Sequence, residues 1–309
     1  MAPRLDPAEH AWMRDPATRA VMAALEAARP GSARYVGGAV RNALTGHPVH
    51  DVDIATSLTP DAVTTALQAA GIKAVPTGVE HGTVTAVADH RPFEITTLRH
   101  DVETDGRRAV VAFTESWQED AARRDFRLNA LYADPDGTIH DFHGGVDDAL
   151  AGRIVFIGEP RDRIREDYLR ILRFYRFHAW YGRGPLDAEG QAACAALKGG
   201  MSQLSAERVW KEFKKLLAAP DPSEALRAMS EAGVLAAILP APFDPALALA
   251  AIPLTADPLL RAAALIGADP EAAAALSDSM KVSKAERARL EAACAALLAP
   301  GLPGPALRA

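Results

Sequence analysis

Apolar and polar positions along this 309-residue chain follow two different regimes. Residues 17–29 (ATRAVMAALEAAR) place apolar side chains at helical spacing and predict an amphipathic helix. A short strand at Ala33–Val36 comes next, then a Gly-Gly turn and a short helix at 40–44. Alternation over 51–55 predicts a strand, and Thr59-Pro60 opens a helix as N-cap followed by proline in the first helical position. Strands are expected at 72–76, Thr83–Ala88 and 93–98, a loop with ragged strand content at 99–118, and a helix at about 119–130. Asp134-Pro135-Asp136-Gly137 is a strong turn signal between strands Leu131–Ala133 and Ile139–Asp141. From about residue 160 the pattern is helical and rich in Ala, Leu and Arg; Tyr168, Ile171, Leu172, Tyr175 and Ala179 form one apolar stripe. Pro and Ala crowd the last seventy or so residues, where the period weakens. The expectation is an α/β head of about 150 residues followed by an all-α remainder, without internal repeats.

Composition changes this picture little. No apolar run reaches the roughly 18 residues of a membrane span, and residues 1–14 are charged and lack the apolar centre of a signal peptide. The expectation is a soluble cytoplasmic protein with no membrane association. Cys194 and Cys294 each lie in an Ala-rich helical stretch, which reads as two buried thiols rather than a disulfide or a cysteine metal site. A net charge of −6 argues against a nucleic-acid partner until its distribution is considered. Residues 151–184 hold eight arginines (153, 161, 163, 165, 170, 173, 176, 183) against four acids, and Arg107, Arg108, Arg123, Arg124 and Arg127 form a second group. Arginine suits phosphate because its planar fork donates two hydrogen bonds at once.

The candidate chemistry begins at Gly37-Gly38-Ala39-Val40-Arg41 and His50-Asp51-Val52-Asp53. On a strand, Asp51 and Asp53 share one face. Two carboxylates so placed repel each other unless a cation lies between them, and Mg²⁺ takes one or two carboxylates plus phosphate oxygens. Two such ions can lower the pKa of an attacking hydroxyl and stabilise a leaving pyrophosphate. The Gly37-Gly38 turn lets backbone N–H groups approach a triphosphate at a helix N-terminus, with Arg41 to neutralise charge. Asp-x-Asp alone is common; following Gly-Gly-x-Val-Arg on a strand–turn–helix–strand pattern, it points to the nucleotidyltransferase head of the DNA polymerase beta superfamily. That superfamily usually adds a third carboxylate. Glu94 is the best candidate, and Asp89, at a turn, is the weaker one.

Three further motifs follow in order: Arg123-Arg124-Asp125-Phe126-Arg127-Leu128-Asn129, Asp141-Phe142-His143-Gly144-Gly145, and Arg165-Glu166-Asp167-Tyr168-Leu169-Arg170-Ile171-Leu172-Arg173. On one helix, Asp125 and Asn129 would be one turn apart and suited to ribose hydroxyls, with the arginines on phosphate. The whole set, over about residues 30–220, resembles the class II tRNA nucleotidyltransferases, a family that includes CCA-adding enzymes and bacterial poly(A) polymerases. The resemblance implies a DNA polymerase beta-like head at 1–150, a helical neck at 151–220 with base-reading and RNA-binding residues, and a helical body at 221–309 with a short tail. It makes Asp51 and Asp53 the metal ligands and Asp167 and Arg170 an amino-acid template for the incoming base. A carboxylate can accept from the exocyclic amine of cytosine or adenine while a guanidinium donates to the ring nitrogen.

By that resemblance the expected activity is addition of C, C and A from CTP and ATP to the tRNA 3′ end, using two Mg²⁺ ions. The expected catalytic residues are Asp51, Asp53 and Glu94. Gly37, Gly38, Arg41, Arg124, Asp125, Asn129, Asp167, Arg170 and Arg173 are expected at the nucleotide, and Arg107, Arg108, Arg123 and Arg176 on RNA. The partner is the tRNA acceptor arm; no stable protein partner is expected. Residues 100–108 match the family's flexible loop, associated with the switch from C to A addition. The family usually carries Asp after the motif's arginine, where this chain has Asn42. The alternatives are poly(A) polymerase or A-only activity on the same scaffold, and a non-catalytic RNA-binding protein. Poly(A) polymerases tend to carry an Arg-Arg-Phe-rich stretch that residues 76–84 lack.

Overall fold

The computed structural model describes residues 3–78, 82–104, 109–239 and 243–298, and divides them into two compact units. Unit 1 comprises 1–151 with 155–158; unit 2 comprises 152–154 and 159 onward.

Unit 1 is α/β. Helices α1 (Ala11–Arg14) and α2 (Pro16–Ala28) precede β1 (Ala33–Val36), α3 (Gly38–Thr45), β2 (Ile54–Thr56) and α4 (Pro60–Ala69). Then come β3 (Lys73–Gly78), β4 (Thr83–Ala88), β5 (Arg91–Thr97), β6 (Arg99–Thr104), β7 (Ala109–Phe113), α5 (Trp117–Ala122), β8 (Leu131–Ala133), β9 (Ile139–Asp141) and α6 (Gly145–Ala151). Seven strands form one sheet in the order β3-β4-β5-β2-β1-β8-β9, while β6 and β7 pair separately. The segment 99–118, expected as a ragged loop, is therefore largely a β-hairpin.

Strands β2 and β5 pair in parallel, with Ile54 opposite Ile95 and Ala55 opposite Thr96. Helix α2 is fixed at its start by Asp15, which accepts from the N–H groups of Ala17 and Thr18. Its buried Val21 and Leu25, with Val63 and Leu67 of α4, supply the core on one face of the sheet. Val36, Ala55, Leu98, Ala121, Ala130, Tyr132 and Ile157 form a second apolar cluster, with Trp117 packed against it. Gly137 serves the β8–β9 turn twice over. Its φ is +91°, and an added Cβ would lie 2.0 Å from the carbonyl oxygen of Leu5, whose own N–H donates to Gly137.

The expected helix at 119–130 is the main correction in unit 1. Ser116 caps α5 by accepting from the Glu119 N–H, but the helix stops at Ala122. Asp125 turns its carboxylate onto the N–H of Phe126 at 2.8 Å, and Phe126 is extended and bridges Phe156. A short acidic side chain that takes a local N–H offers the backbone an alternative to the helix. A 3₁₀ turn, Arg127–Asn129, completes the segment.

Unit 2 is helical: α7 (Pro160–Glu166), α8 (Leu169–Tyr181), α9 (Ala188–Leu197), α10 (Ala206–Leu217), α11 (Ser223–Glu231), α12 (Val234–Ile238), α13 (Pro245–Ala251), α14 (Pro258–Leu265), α15 (Pro270–Ser279) and α16 (Lys284–Leu298). Ile171, Leu172, Phe174, Tyr175 and Phe177 of α8 are buried, as are Trp210, Phe213, Leu216 and Leu217 of α10, which packs on it. Cys194 and Cys294 are buried free thiols, as expected. Among the described residues no helix is long and apolar enough to cross a membrane.

Arg261, 2% exposed, is a buried guanidinium served by carbonyls. It donates to Leu217 O and Ala219 O at 2.6 Å, to Thr255 O at 2.7 Å and to Ile252 O at 3.1 Å, closing the end of α10. Arg261→Met strands these carbonyls without donors, so it is expected to destabilise unit 2 by about 3 kcal/mol or more. Urea denaturation followed by circular dichroism checks this; a loss below about 1 kcal/mol would contradict it.

Candidate active site

Asp51 and Asp53 lie just before β2 rather than within it, in an extended lead-in that still pairs with β1 through the Val36 N–H to Asp53 O bond of 3.0 Å. Asp53 is two residues before Ala55, so it shares the sheet face of the second apolar cluster. Parallel registry places Glu94, one residue before Ile95, level with Asp53, one residue before Ile54. The Asp53 carboxyl is pushed above the ordinary range, first by burial, then by the charges of Glu94 and Asp51; Arg124 opposes them. Asp89, the weaker candidate, stands at the β4–β5 turn with φ +49°.

This environment fits a divalent cation. The parallel register sets the Asp53 and Glu94 positions side by side, and a cation would offset the repulsion of their carboxylates. Among the described residues no group of three or more His, Cys, Asp or Glu side chains is placed to hold a metal ion. One or two carboxylates suit a hard cation that fills its remaining positions with water and phosphate.

Gly37 adopts φ +64° and opens α3. Its own N–H donates to Leu131 O at 3.0 Å, so its backbone amide serves the sheet rather than a triphosphate. That corrects half of the Gly-Gly expectation: the amide that remains for a ligand is that of Gly38, at the head of the helix. A Cβ on Gly37 would sit 3.7 Å from Nη1 of Arg124, which shows how closely that guanidinium approaches the turn.

Arg41 is 7% exposed. It donates to Asn42 Oδ1 through Nε (3.1 Å) and Nη2 (2.9 Å), and to Asn129 Oδ1 through Nη1. Asn129 Nδ2 donates to Asp125 Oδ1 at 3.0 Å. The expected Asp125–Asn129 pairing thus occurs, but across a 3₁₀ turn and between two buried side chains that hold each other.

Asp120 was missing from the expectations and organises the arginines. Its carboxylate, 1% exposed, accepts from Arg123 Nη2 at 2.7 Å, Arg124 Nη2 at 3.0 Å and the Tyr132 hydroxyl at 2.7 Å. Burial would raise its pKa, but Arg124, Arg123 and Tyr132 outweigh that and hold it at about 2. Arg123, expected on RNA, instead turns inward to Asp120 and to Arg99 O (3.1 Å). Its sequence signal was Glu119-Asp120 one turn before the arginine pair.

In unit 2, Asp167 is the break between α7 and α8, with φ −154° and ψ 106°. The expected i, i+3 neighbourhood with Arg170 on one helix is therefore not formed. Asp167 accepts from Leu169 N–H at 3.1 Å just ahead of α8, and pairs with Arg208 Nη2 at 2.7 Å. Arg170 pairs with Glu166 and donates to Arg163 O at 2.9 Å. Arg176, expected on RNA, is bonded to the buried Glu212 of α10, with Arg173 4.0 Å from the same carboxylate. A buried carboxylate demands such cations. Arg208, Glu166 and Glu212 were not anticipated from sequence. Arg107 and Arg108 lie outside the described residues.

Residues 33–155 match the poly A polymerase head domain, and 185–244 match a probable RNA and SrmB-binding site of polymerase A. The fold matches a CCA-adding enzyme of Bacillus stearothermophilus, solved in complex with CTP, with a TM-score of 0.75 and 30% identity over 92% of this chain and 70% of that one. The chain belongs to the tRNA nucleotidyltransferase and poly(A) polymerase family. Within that family, it is 45% identical over 190 residues to the human mitochondrial CCA tRNA nucleotidyltransferase 1 (60% of this chain, 43% of that protein). It is 41% identical over 209 residues to the CCA-adding enzyme of Streptococcus gordonii (66% and 50%). The chain thus spans about half the length of these relatives.

Asp120 makes a pH prediction. Its folded pKa is depressed, so its contribution is present above the unfolded value near 4 and disappears as pH falls towards 2. The stability difference between wild type and Asp120→Asn is expected to be on the order of 2 kcal/mol above pH 5 and to shrink below pH 4. Urea titrations across pH 3–7 measure it; a gap independent of pH would remove the ion-pair account.

Proposed function

We propose that this chain is a CCA-adding tRNA nucleotidyltransferase, which extends a tRNA 3′ end with two C residues from CTP and one A from ATP without a nucleic-acid template. The observation that carries this reading is the level placement of Asp53 and Glu94 on parallel strands, with Asp51 two residues before Asp53 and Arg124 beside the Gly37 turn. Relatives and structural neighbours named as CCA-adding enzymes support it.

In this reading the tRNA 3′-hydroxyl attacks the α-phosphate, a new O–P bond forms, and pyrophosphate leaves. Asp51 and Asp53 would hold two Mg²⁺ ions, which when bound supply Lewis acidity to the triphosphate and the attacking hydroxyl. Arg41 and Arg124 present positive charge to the triphosphate from guanidinium groups already fixed by protein partners, so little reorganisation is needed on binding. Asp125 and Asn129 support Arg41 and line the ribose side. Asp167 and Arg170 read the base. Asp167 already accepts from Leu169 N–H and Arg208, and a carboxylate has about four lone-pair sites, so one edge can still accept from an exocyclic amine. The arginines of the neck would grip the acceptor arm through its phosphates, so tRNA binding should weaken with salt.

The test is incorporation into tRNA lacking CCA, with labelled CTP and ATP given singly and together. The expected outcome is a three-nucleotide extension that needs both. A long A tail, or A addition only to tRNA ending in CC, would replace this reading with its relatives. Asp53→Asn is expected to reduce incorporation by at least about a hundredfold, the scale for losing one charge-stabilising group. Arg170→Ala is expected to lower the preference for C and A over U and G by about tenfold. Single-nucleotide rates with each of the four triphosphates read both effects.

A further inference from the structure

Asp120 takes part in no step described so far, yet it is the common partner of the charged groups behind the nucleotide turn. Its Oδ1 accepts from Arg123 Nε (2.9 Å), Arg123 Nη2 (2.7 Å) and the Arg99 backbone N–H (3.3 Å). Its Oδ2 accepts from Arg124 Nε (3.3 Å), Arg124 Nη2 (3.0 Å) and the Tyr132 hydroxyl (2.7 Å). Tyr132 in turn accepts from Arg124 Nε at 3.1 Å, and its ring lies 5.3 Å from the Arg124 guanidinium carbon. Two of the three Arg124 nitrogens are thus committed to the anchor, and the third, Nη1, is the one that stands against Gly37.

A buried ion pair is weak evidence for stability, because desolvation offsets most of the attraction. Its value here is directional. A guanidinium is planar, so fixing Nε and Nη2 fixes where Nη1 points. Arg99 opens β6, so the same carboxylate also ties the root of the β6–β7 hairpin to the arginine that faces the nucleotide turn.

We propose that Asp120 is a positioning residue for nucleotide transfer: its buried carboxylate aims Arg124 at the triphosphate beside Gly37 and pins the root of the β6–β7 hairpin to the same anchor. This rests on the reading that Arg124 meets the triphosphate. Asp120→Asn keeps the shape but turns an amide donor or a neutral oxygen towards two guanidinium groups. Arg124 then loses its charge-assisted partner.

The experiment is a double-mutant cycle with Asp120→Asn and Arg124→Ala, read as kcat/KM for CTP incorporation into tRNA lacking CCA, with melting curves on every protein. Asp120→Asn alone should lower kcat/KM by roughly thirtyfold, and Arg124→Ala by about a hundredfold or more. The double variant should be no worse than Arg124→Ala within about threefold, because the anchor acts through the arginine it aims. Losses that multiply, or an Asp120→Asn enzyme as fast as wild type, would overturn the proposal. If Asp120→Asn fails to fold, Tyr132→Phe replaces it. That variant removes one bond to Oδ2, and its smaller loss should likewise vanish in the Arg124→Ala background; if it persists there, the proposal falls. The same cycle in the Kd for CTP with Mg²⁺, by calorimetry, separates the two readings. A wild type that binds CTP but incorporates nothing would sink the CCA-adding function and leave Asp120 to be judged on coupling in Kd. A wild type that neither binds nor incorporates would sink both.

Discussion

Asp53 and Glu94 are held at one level of two parallel strands, and their like charges push against each other. The sheet leaves no escape from this, because Ile54 and Ile95, one residue on, are fully buried and lock the register. A one-residue slip would move both isoleucines out of the core. Hydrophobic registry therefore offsets electrostatic crowding. The rest of the head answers the same charge. Arg124 is the cation that reaches Asp53, and it arrives from a segment whose helix was cut short to deliver it. The anchor is itself a buried carboxylate bonded to Tyr132, and its neighbour Ala121 packs with Tyr132 in the cluster of Val36, Ala55 and Leu98.

Unit 2 uses the same device with different residues. Glu212 is buried on α10 and gathers Arg176 and Arg173 of α8, whose guanidinium groups also lie over the ring of Phe177. The shared acid ties α8 to α10. Asp167 and Arg170 are each engaged elsewhere, with Arg208 and Glu166. Both side chains are thus already oriented by partners within unit 2.

Much of this was legible in sequence. Strand β1, the β8–β9 hairpin, the helical second half and the buried thiols follow from apolar period and turn chemistry, which are local. Glu94 was singled out because the superfamily the motifs resemble usually carries a third carboxylate on a neighbouring strand; its level with Asp53 depends on a parallel pairing no local signal reveals. What failed depends on tertiary partners. Residues 119–130 have helical composition, but Asp125 prefers the Phe126 N–H and the 155–157 segment pairs with the extended backbone beyond it. The partners of Arg123 and Arg176, the buried Asp120 and Glu212, were likewise out of reach, because burial of an acidic residue is the least readable property of a chain.

Asn42 shows how a departure from a family pattern can be judged by its bonds. The family usually carries Asp here, and sequence alone suggested a lost charge. In the structure Asn42 Oδ1 receives Nε and Nη2 of Arg41, the acceptor work an aspartate would do, while Nδ2 donates to Pro48 O at 2.7 Å, which an ionised aspartate could not. The amide thus orients the guanidinium and secures the end of the loop that leads to Asp51. Asn129 Oδ1 accepts from Nη1 of the same arginine, and Asn129 is itself held by Asp125. The asparagine at 42 therefore keeps the orienting contact to Arg41 and adds a donor that ties the following loop.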